Sequence, residues 1–212
     1  AAYQDPPVNI AGTALKHRAS WQNPAQPEPA GGLTIALLAP GEQTPLKAGA
    51  TDTTTGAFSL SDVNVSSVGR AMLALLDDVD NAAEDNYVAT VSVATVGRPC
   101  EDVSGAKAFA IPQHLEDALN SALGLNANTL ESQGFILGQV LDANGQPVAG
   151  AVISRADGKD VTVRYPNATL DGEQSTPETA AHGLFVIPEP CRRPRDRRGR
   201  AGHGLRDVRR AA

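Results

Sequence analysis

Gly138-Gln-Val-Leu-Asp142-Ala-Asn-Gly145-Gln-Pro147-Val-Ala-Gly150-Ala151-Val152 reads as strand, tight turn and strand. Apolar residues alternate on both sides of an Asn-Gly pair, whose tolerance of positive φ suits a two-stranded connection. About thirty residues on, Gly183-Leu-Phe185-Val-Ile187 repeats the alternation. The same order occurs earlier in the chain: Gly12-x-Ala14, then Pro29-x-x-Gly32-Leu33-Thr34, then Gly56-x-Phe58-x-Leu60. Gly12 to Phe58 spans 46 residues and Gly138 to Phe185 spans 47, although the insertions fall in different loops. A glycine in a strand marks close backbone approach, and one phenylalanine per copy serves as the large plug of an otherwise aliphatic core.

Working outward, Val8–Leu15, Leu33–Ala39, Leu46–Thr51, Ala57–Asp62, Ala71–Leu76, Tyr87–Thr95 and Ala106–Ile111 are short runs rich in Val, Ile, Leu, Thr or Ala, separated by turn residues. Such spacing predicts an antiparallel sandwich or barrel. After the Asn-Gly turn, Val148–Ser154, Val161–Tyr165 and Leu184–Ile187 are expected to continue the second copy as strands. Gln113–Gly124 breaks the pattern. Leu115, Ala118, Leu119, Ala122 and Leu123 fall on one helical face, with Gly124 as the stop. That stripe is expected to pack on its own domain rather than on a partner. The organisation expected is an extended leader over 1–7, a sandwich over 8–112, helix and linker over 113–133, an incomplete sandwich over 134–190 and a basic tail over 191–212.

Composition narrows the functional classes. The 212 residues are 41% hydrophobic but only 4% aromatic, and no apolar run approaches the length of a membrane-spanning helix. The net charge of −6 conceals a segregation: residues 1–190 carry nine Lys+Arg and 22 Asp+Glu, and residues 191–212 carry nine Arg and two Asp. An acidic body repels phosphate backbones, so no nucleic-acid partner is expected of it. The Arg-rich end reads three ways: a shifted reading frame, which the abrupt change favours, a basic arm for anionic lipid or polymer, or a tail without a role. Cys100 and Cys191 show no metal-ligand spacing, and a bond between them is not favoured. The start of the chain has no basic-then-apolar signal pattern, which leaves a removed or preceding leader open.

The segment Gly138–Val152, closed by Gly183-Leu-Phe185, resembles the carboxypeptidase regulatory-like domain of the transthyretin-like (prealbumin-like) β-sandwich class. The resemblance covers roughly 134–188. Residues 8–112 resemble a divergent second copy, through Thr53-Thr54-Thr55-Gly56-Ala57-Phe58-Ser59-Leu60. It implies an all-β fold of two antiparallel Ig-like/transthyretin-like modules joined by a short amphipathic helix. It further implies a non-catalytic, secreted, periplasmic or cell-envelope protein with a structural, adhesive or ligand-binding role. The partner would be a protein or polysaccharide at the cell surface. No cofactor and no catalytic residue is implied. The main rival is an iron enzyme, because intradiol ring-cleaving dioxygenases resemble the same segment. Their pattern of two Tyr and two His with a late H-x-H is not met: Tyr165 is the only tyrosine of the second module, and His17, His114, His182 and His203 are scattered. The Tyr-Arg-Gly-Ser ending of hydroxyisourate hydrolases is likewise missing.

One cluster invites a metal reading. Asp77, Asp78, Asp80, Glu84 and Asp85 place five carboxylates within nine residues, enough oxygens for calcium. The spacing lacks the glycine and terminal glutamate of an EF-hand, and a solvated acidic hairpin loop is favoured. Asp142-Ala-Asn144-Gly145 is expected to be a turn rather than half a calcium loop. His182 is expected to cap a turn.

Overall fold

The computed structural model describes residues 6–17, 28–42, 44–64, 71–77, 86–94, 101–125 and 129–188. The chain is an all-β sandwich with few helical residues. One sheet has the order β4–β1–β8–β6, from Ala57–Val63, Val8–Lys16, Val103–Pro112 and Tyr87–Val88. The other has the order β3–β2–β5–β7, from Lys47–Ala50, Thr34–Leu38, Ala71–Leu76 and Thr90–Ala94. All described pairings are antiparallel except β1 with β8, which run parallel.

Alternation explains the core. Val8, Ile10, Ala14, Phe58, Leu60, Ala108 and Ala110 point inward from the first sheet and meet Ile35, Leu37, Leu73 and Leu75 from the second. Fully burying a Val, Leu, Ile or Phe side chain contributes about 1.5–3 kcal/mol. The run read as one strand over Tyr87–Thr95 is two: β6 pairs with β8 in the first sheet, and β7 pairs with β5 in the second. The chain changes sheets at Ala89, a corner of the kind that closes sandwiches. Hydroxyls stitch that corner. Thr90 Oγ1 donates to the Phe109 carbonyl at 2.7 Å, and Phe109 N–H donates to Ser92 Oγ at 2.9 Å.

The helix follows at once as α1, Gln113–Ala122, entered through Pro112. It ends where Gly124 was expected to stop it. Gly124 stands at φ 66°, its N–H donates to the Ser121 carbonyl, and Leu125 N–H donates to the Asn120 carbonyl at 2.8 Å. These are the two reverse bonds of a Schellman cap. The apolar stripe does not pack on one side alone. Leu115, Leu119 and Leu123 share a cluster with Val88 and Ile111 behind the helix and with Leu130 and Val186 beyond it. Buried polar residues of α1 hold the short helix α2, Leu130–Gln133: Asn120 Oδ1 accepts Leu130 N–H at 2.8 Å, and Glu116 Oε1 accepts Glu131 N–H at 3.0 Å.

Beyond α2 the chain departs from expectation. β9, Phe135–Gln139, and β10, Leu184–Pro188, form a two-stranded antiparallel sheet. Val148–Ser154 and Val161–Tyr165 are not strands, which corrects that expectation. The second is held by an isolated bridge between Arg164 and Val186, and the first by bonds of Gly150 and Ala151 to Thr179 and of Ile153 N–H to the Tyr165 hydroxyl. Their backbone pairing is confined to single positions, such as Ala151 with Thr179 and Arg164 with Val186, and apolar alternation makes a strand only where successive residues find a neighbouring backbone for their N–H and C=O groups. Two stretches of the chain are tied by Arg164, whose guanidinium bonds Glu173 and donates from Nη2 to the Leu123 carbonyl at 2.9 Å. A cation at that carbonyl also complements the helix dipole.

Candidate functional site

The residues singled out by the internal repeat occupy equivalent places, bond for bond. In the first copy Ala14 N–H donates to the Gly56 carbonyl at 2.8 Å, and the Ala14 carbonyl accepts Ala30 N–H at 2.9 Å. In the second, Val140 N–H donates to the Gly183 carbonyl at 2.8 Å, and the Val140 carbonyl accepts Val148 N–H at 2.9 Å. Pro29 bridges Leu15 as Pro147 bridges Leu141. Gly56 and Gly183 stand at φ 64° and 70°, and a Cβ on either would press on the carbonyl of Ala14 or Val140. Gly12 is cross-strand from Phe58, and Gly138 from Phe185. In both pairs a Cβ on the glycine would run into the ring.

A buried threonine completes each copy and was not picked out from the sequence. Thr51 Oγ1 accepts Leu33 N–H at 2.9 Å, and Thr51 N–H donates to the Leu33 carbonyl at 2.9 Å. Thr179 Oγ1 accepts Ala151 N–H at 3.0 Å, and Thr179 N–H donates to the Ala151 carbonyl at 2.9 Å. The signal was present as a threonine five residues before Gly56 and four before Gly183.

The turns are built by carboxylates acting as caps. Asp52 Oδ1 accepts from Thr55 N–H at 2.8 Å, Thr55 Oγ1 at 2.8 Å and Thr54 N–H at 3.0 Å; these bonds, the Thr55 amide foremost, hold its carboxyl below the usual range. Asp142 Oδ1 accepts from Gln146 and Asn144 N–H, both at 2.8 Å, and the Gln146 amide is the main cause of its lowered pKa. Asp142 is therefore committed to the turn, as expected. His182 is buried and caps its turn: Nδ1 accepts Leu184 N–H at 2.9 Å, and Nε2 lies 3.0 Å from the Asn167 carbonyl, which assigns the proton to Nε2. Burial lowers its pKa, against that hydrogen bond. Tyr165, the tyrosine an iron site in the second copy would draw on, is buried with its hydroxyl accepting Ile153 N–H at 2.9 Å.

Of the acidic loop, Asp77 accepts Tyr87 N–H at 2.9 Å through Oδ2. Asp78, Asp80, Glu84 and Asp85 lie outside the described residues, as do Cys100, Cys191, His203 and the basic end. Among the described residues no three His, Cys, Asp or Glu side chains come together as a metal site needs. No described helix is long and apolar enough to cross a membrane.

No family model matches the chain, and no curated protein does. Among solved structures the chain is similar to the minor pilin GBS52 of Streptococcus agalactiae, with 10% identity and a TM-score of 0.34 over 51% of this chain and 45% of that one. The match thus spans less than half of that pilin's length. It is also similar to the shaft pilin SpaA of Lactobacillus rhamnosus GG, with 11% identity and a TM-score of 0.29 over 86% of this chain and 78% of that one. Overlaps this loose assign neither a family nor a role to any residue.

Proposed function

We propose that the chain is a non-catalytic structural or adhesive protein of the cell envelope or the secreted space. In this reading 8–112 and 134–190 are two modules of the carboxypeptidase regulatory-like, transthyretin-like kind, linked by the helix and linker of 113–133. The observation that carries it is what the repeated residues do. Gly12, Thr51, Gly56 and Phe58, and their equivalents Gly138, Thr179, Gly183 and Phe185, are spent on backbone bonds and ring-on-glycine packing. The duplicated signature therefore encodes a scaffold. Exposed loops on such a scaffold are free to meet a surface protein or polysaccharide.

Fractionation of producing cells, with an antibody against the purified chain, tests the location, and metal analysis of the native protein tests the chemistry. The proposal expects the envelope or medium fraction and no stoichiometric iron. A cytosolic protein would contradict the first part, and a coloured protein with one iron per chain would contradict the second.

A further inference from the structure

Superposing the repeat in sequence makes Ile136 the counterpart of Ile10, and Ile187 that of Leu60. The counterparts differ sharply in what covers them. Ile10 and Leu60 are each 1% exposed, whereas Ile136 is 47% exposed and Ile187 only half-buried. The edges differ in the same way. β1 has two neighbours, β4 antiparallel and β8 parallel, while β9 has only β10 among the described residues. At Gly12 the atom nearest to an added Cβ is the Ala106 carbonyl of β8; at Gly138 the three nearest atoms all belong to Phe185. Since Val140 N–H points to Gly183, alternation turns the N–H groups of Leu137 and Gln139 towards the open edge.

We propose that this edge of β9 is a docking site for an extended strand of a partner protein, laid parallel to β9 as β8 is laid against β1. Main-chain bonds to Leu137 and Gln139 would supply the affinity, and a side chain over Ile136 and Ile187 the selectivity. The first copy indicates the chemistry of the occupant. β8 presents small apolar residues inward, Ala106, Ala108 and Ala110, and carries Lys107 with no carboxylate. Residues 134–188 carry three Lys+Arg against six Asp+Glu, so a strand with basic or neutral outward positions is favoured over an acidic one. The inference stands on the duplication and is independent of the cellular location proposed above.

The probe is a fluorescent peptide of sequence Val-Ser-Gly-Ala-Lys-Ala-Phe-Ala-Ile-Pro, that of Val103–Pro112, titrated with the full chain. Saturable binding is expected, with at least tenfold loss for a scrambled peptide. Gln139→Pro removes an edge N–H and is expected to weaken binding tenfold or more. Ile136→Lys, at an exposed position that leaves folding intact, is expected to weaken it severalfold. Gain of exchange protection at the Leu137 and Gln139 amides would locate the strand. No saturation at millimolar peptide, or equal binding by the scrambled peptide or by both variants, would overturn the proposal. So would concentration-dependent self-association without peptide, which would assign the edge to a second copy of the chain.

Discussion

Residues 8–112 and 134–188 share one hydrogen-bonded frame but differ in what is built on it. In the first, the frame is the middle of a two-sheet sandwich, and Phe58 is 5% exposed in its core. In the second, the same frame is a two-stranded ribbon whose Leu184 and Val186 are fully buried, Val186 in the cluster with α1, while the Phe185 face is only half-covered. Gly-x-Ala or Gly-x-Val, Thr and Gly-x-Phe therefore specify a local knot of strands. The sandwich comes from the strands that add to it. A two-stranded ribbon is marginal alone, and here the helix supplies the missing burial.

The largest effect expected to separate the copies is at the two phenylalanines. Phe58→Ala should cost about 3–5 kcal/mol, the usual range for a buried ring. Phe185→Ala should cost less than half as much, because its pocket is open on one side. Urea denaturation of both variants measures this, and equal losses would break the distinction.

Protons give the next effect. His17 at the end of β1 is held neutral: burial lowers its pKa to about 4, and its Nδ1 is enclosed without a hydrogen-bond partner. An unfolded histidine takes up its proton near 6.5, so the unfolded state gains protons first. Stability should be full above about pH 6.5 and drain as pH falls towards 4, by at most about 3 kcal/mol for this group. His182, also lowered, adds in the same direction for the second copy. His17→Leu should flatten the acid limb of a melting profile, and an unchanged limb would count against the burial.

The paired threonines give the next effect. Thr51→Val and Thr179→Val each leave a buried N–H unmatched and should cost about 1–3 kcal/mol. Because the Thr179 hydroxyl also donates to the Val148 carbonyl at 2.7 Å, its loss should be the larger by about 1 kcal/mol, and equal losses would show that this extra bond contributes nothing. The smallest effect is expected at the acidic loop, which the second copy lacks. Millimolar calcium should leave Tm unchanged. A rise abolished by Asp78→Asn with Asp80→Asn would reveal a bound ion, worth about 2.7 kcal/mol at a hundredfold excess over Kd.

Much of the first copy was legible because alternation, glycine spacing and turn residues agree there. The helix was equally plain, down to its stop at Gly124. The sheet change at Ala89 was not, since a corner and a continuous strand share the same alternation through Tyr87–Ala94. Val148–Ser154 and Val161–Tyr165 misled for a related reason: their pattern is that of strands, but no ladder takes them up among the described residues. Thr51 and Thr179 escaped notice because a lone threonine carries no chemistry in sequence; only its equivalent bonds in both copies give it meaning. An incomplete second copy was expected from the sequence, but not which edge it leaves open: that rests on β8 lying beside β1 while no described strand lies beside the same edge of β9.

Amide hydrogen exchange resolved by residue separates the covered edge of β1 from the open edge of β9. The N–H groups of Ala11 and Thr13, which face β8, should be strongly protected, and their counterparts Leu137 and Gln139 should exchange rapidly. Gly12 and Gly138, which face the Phe58 and Phe185 strands, should both be protected. Protection of Leu137 and Gln139 equal to that of Ala11 and Thr13 would contradict an open edge at β9, by showing that the second copy is already complete.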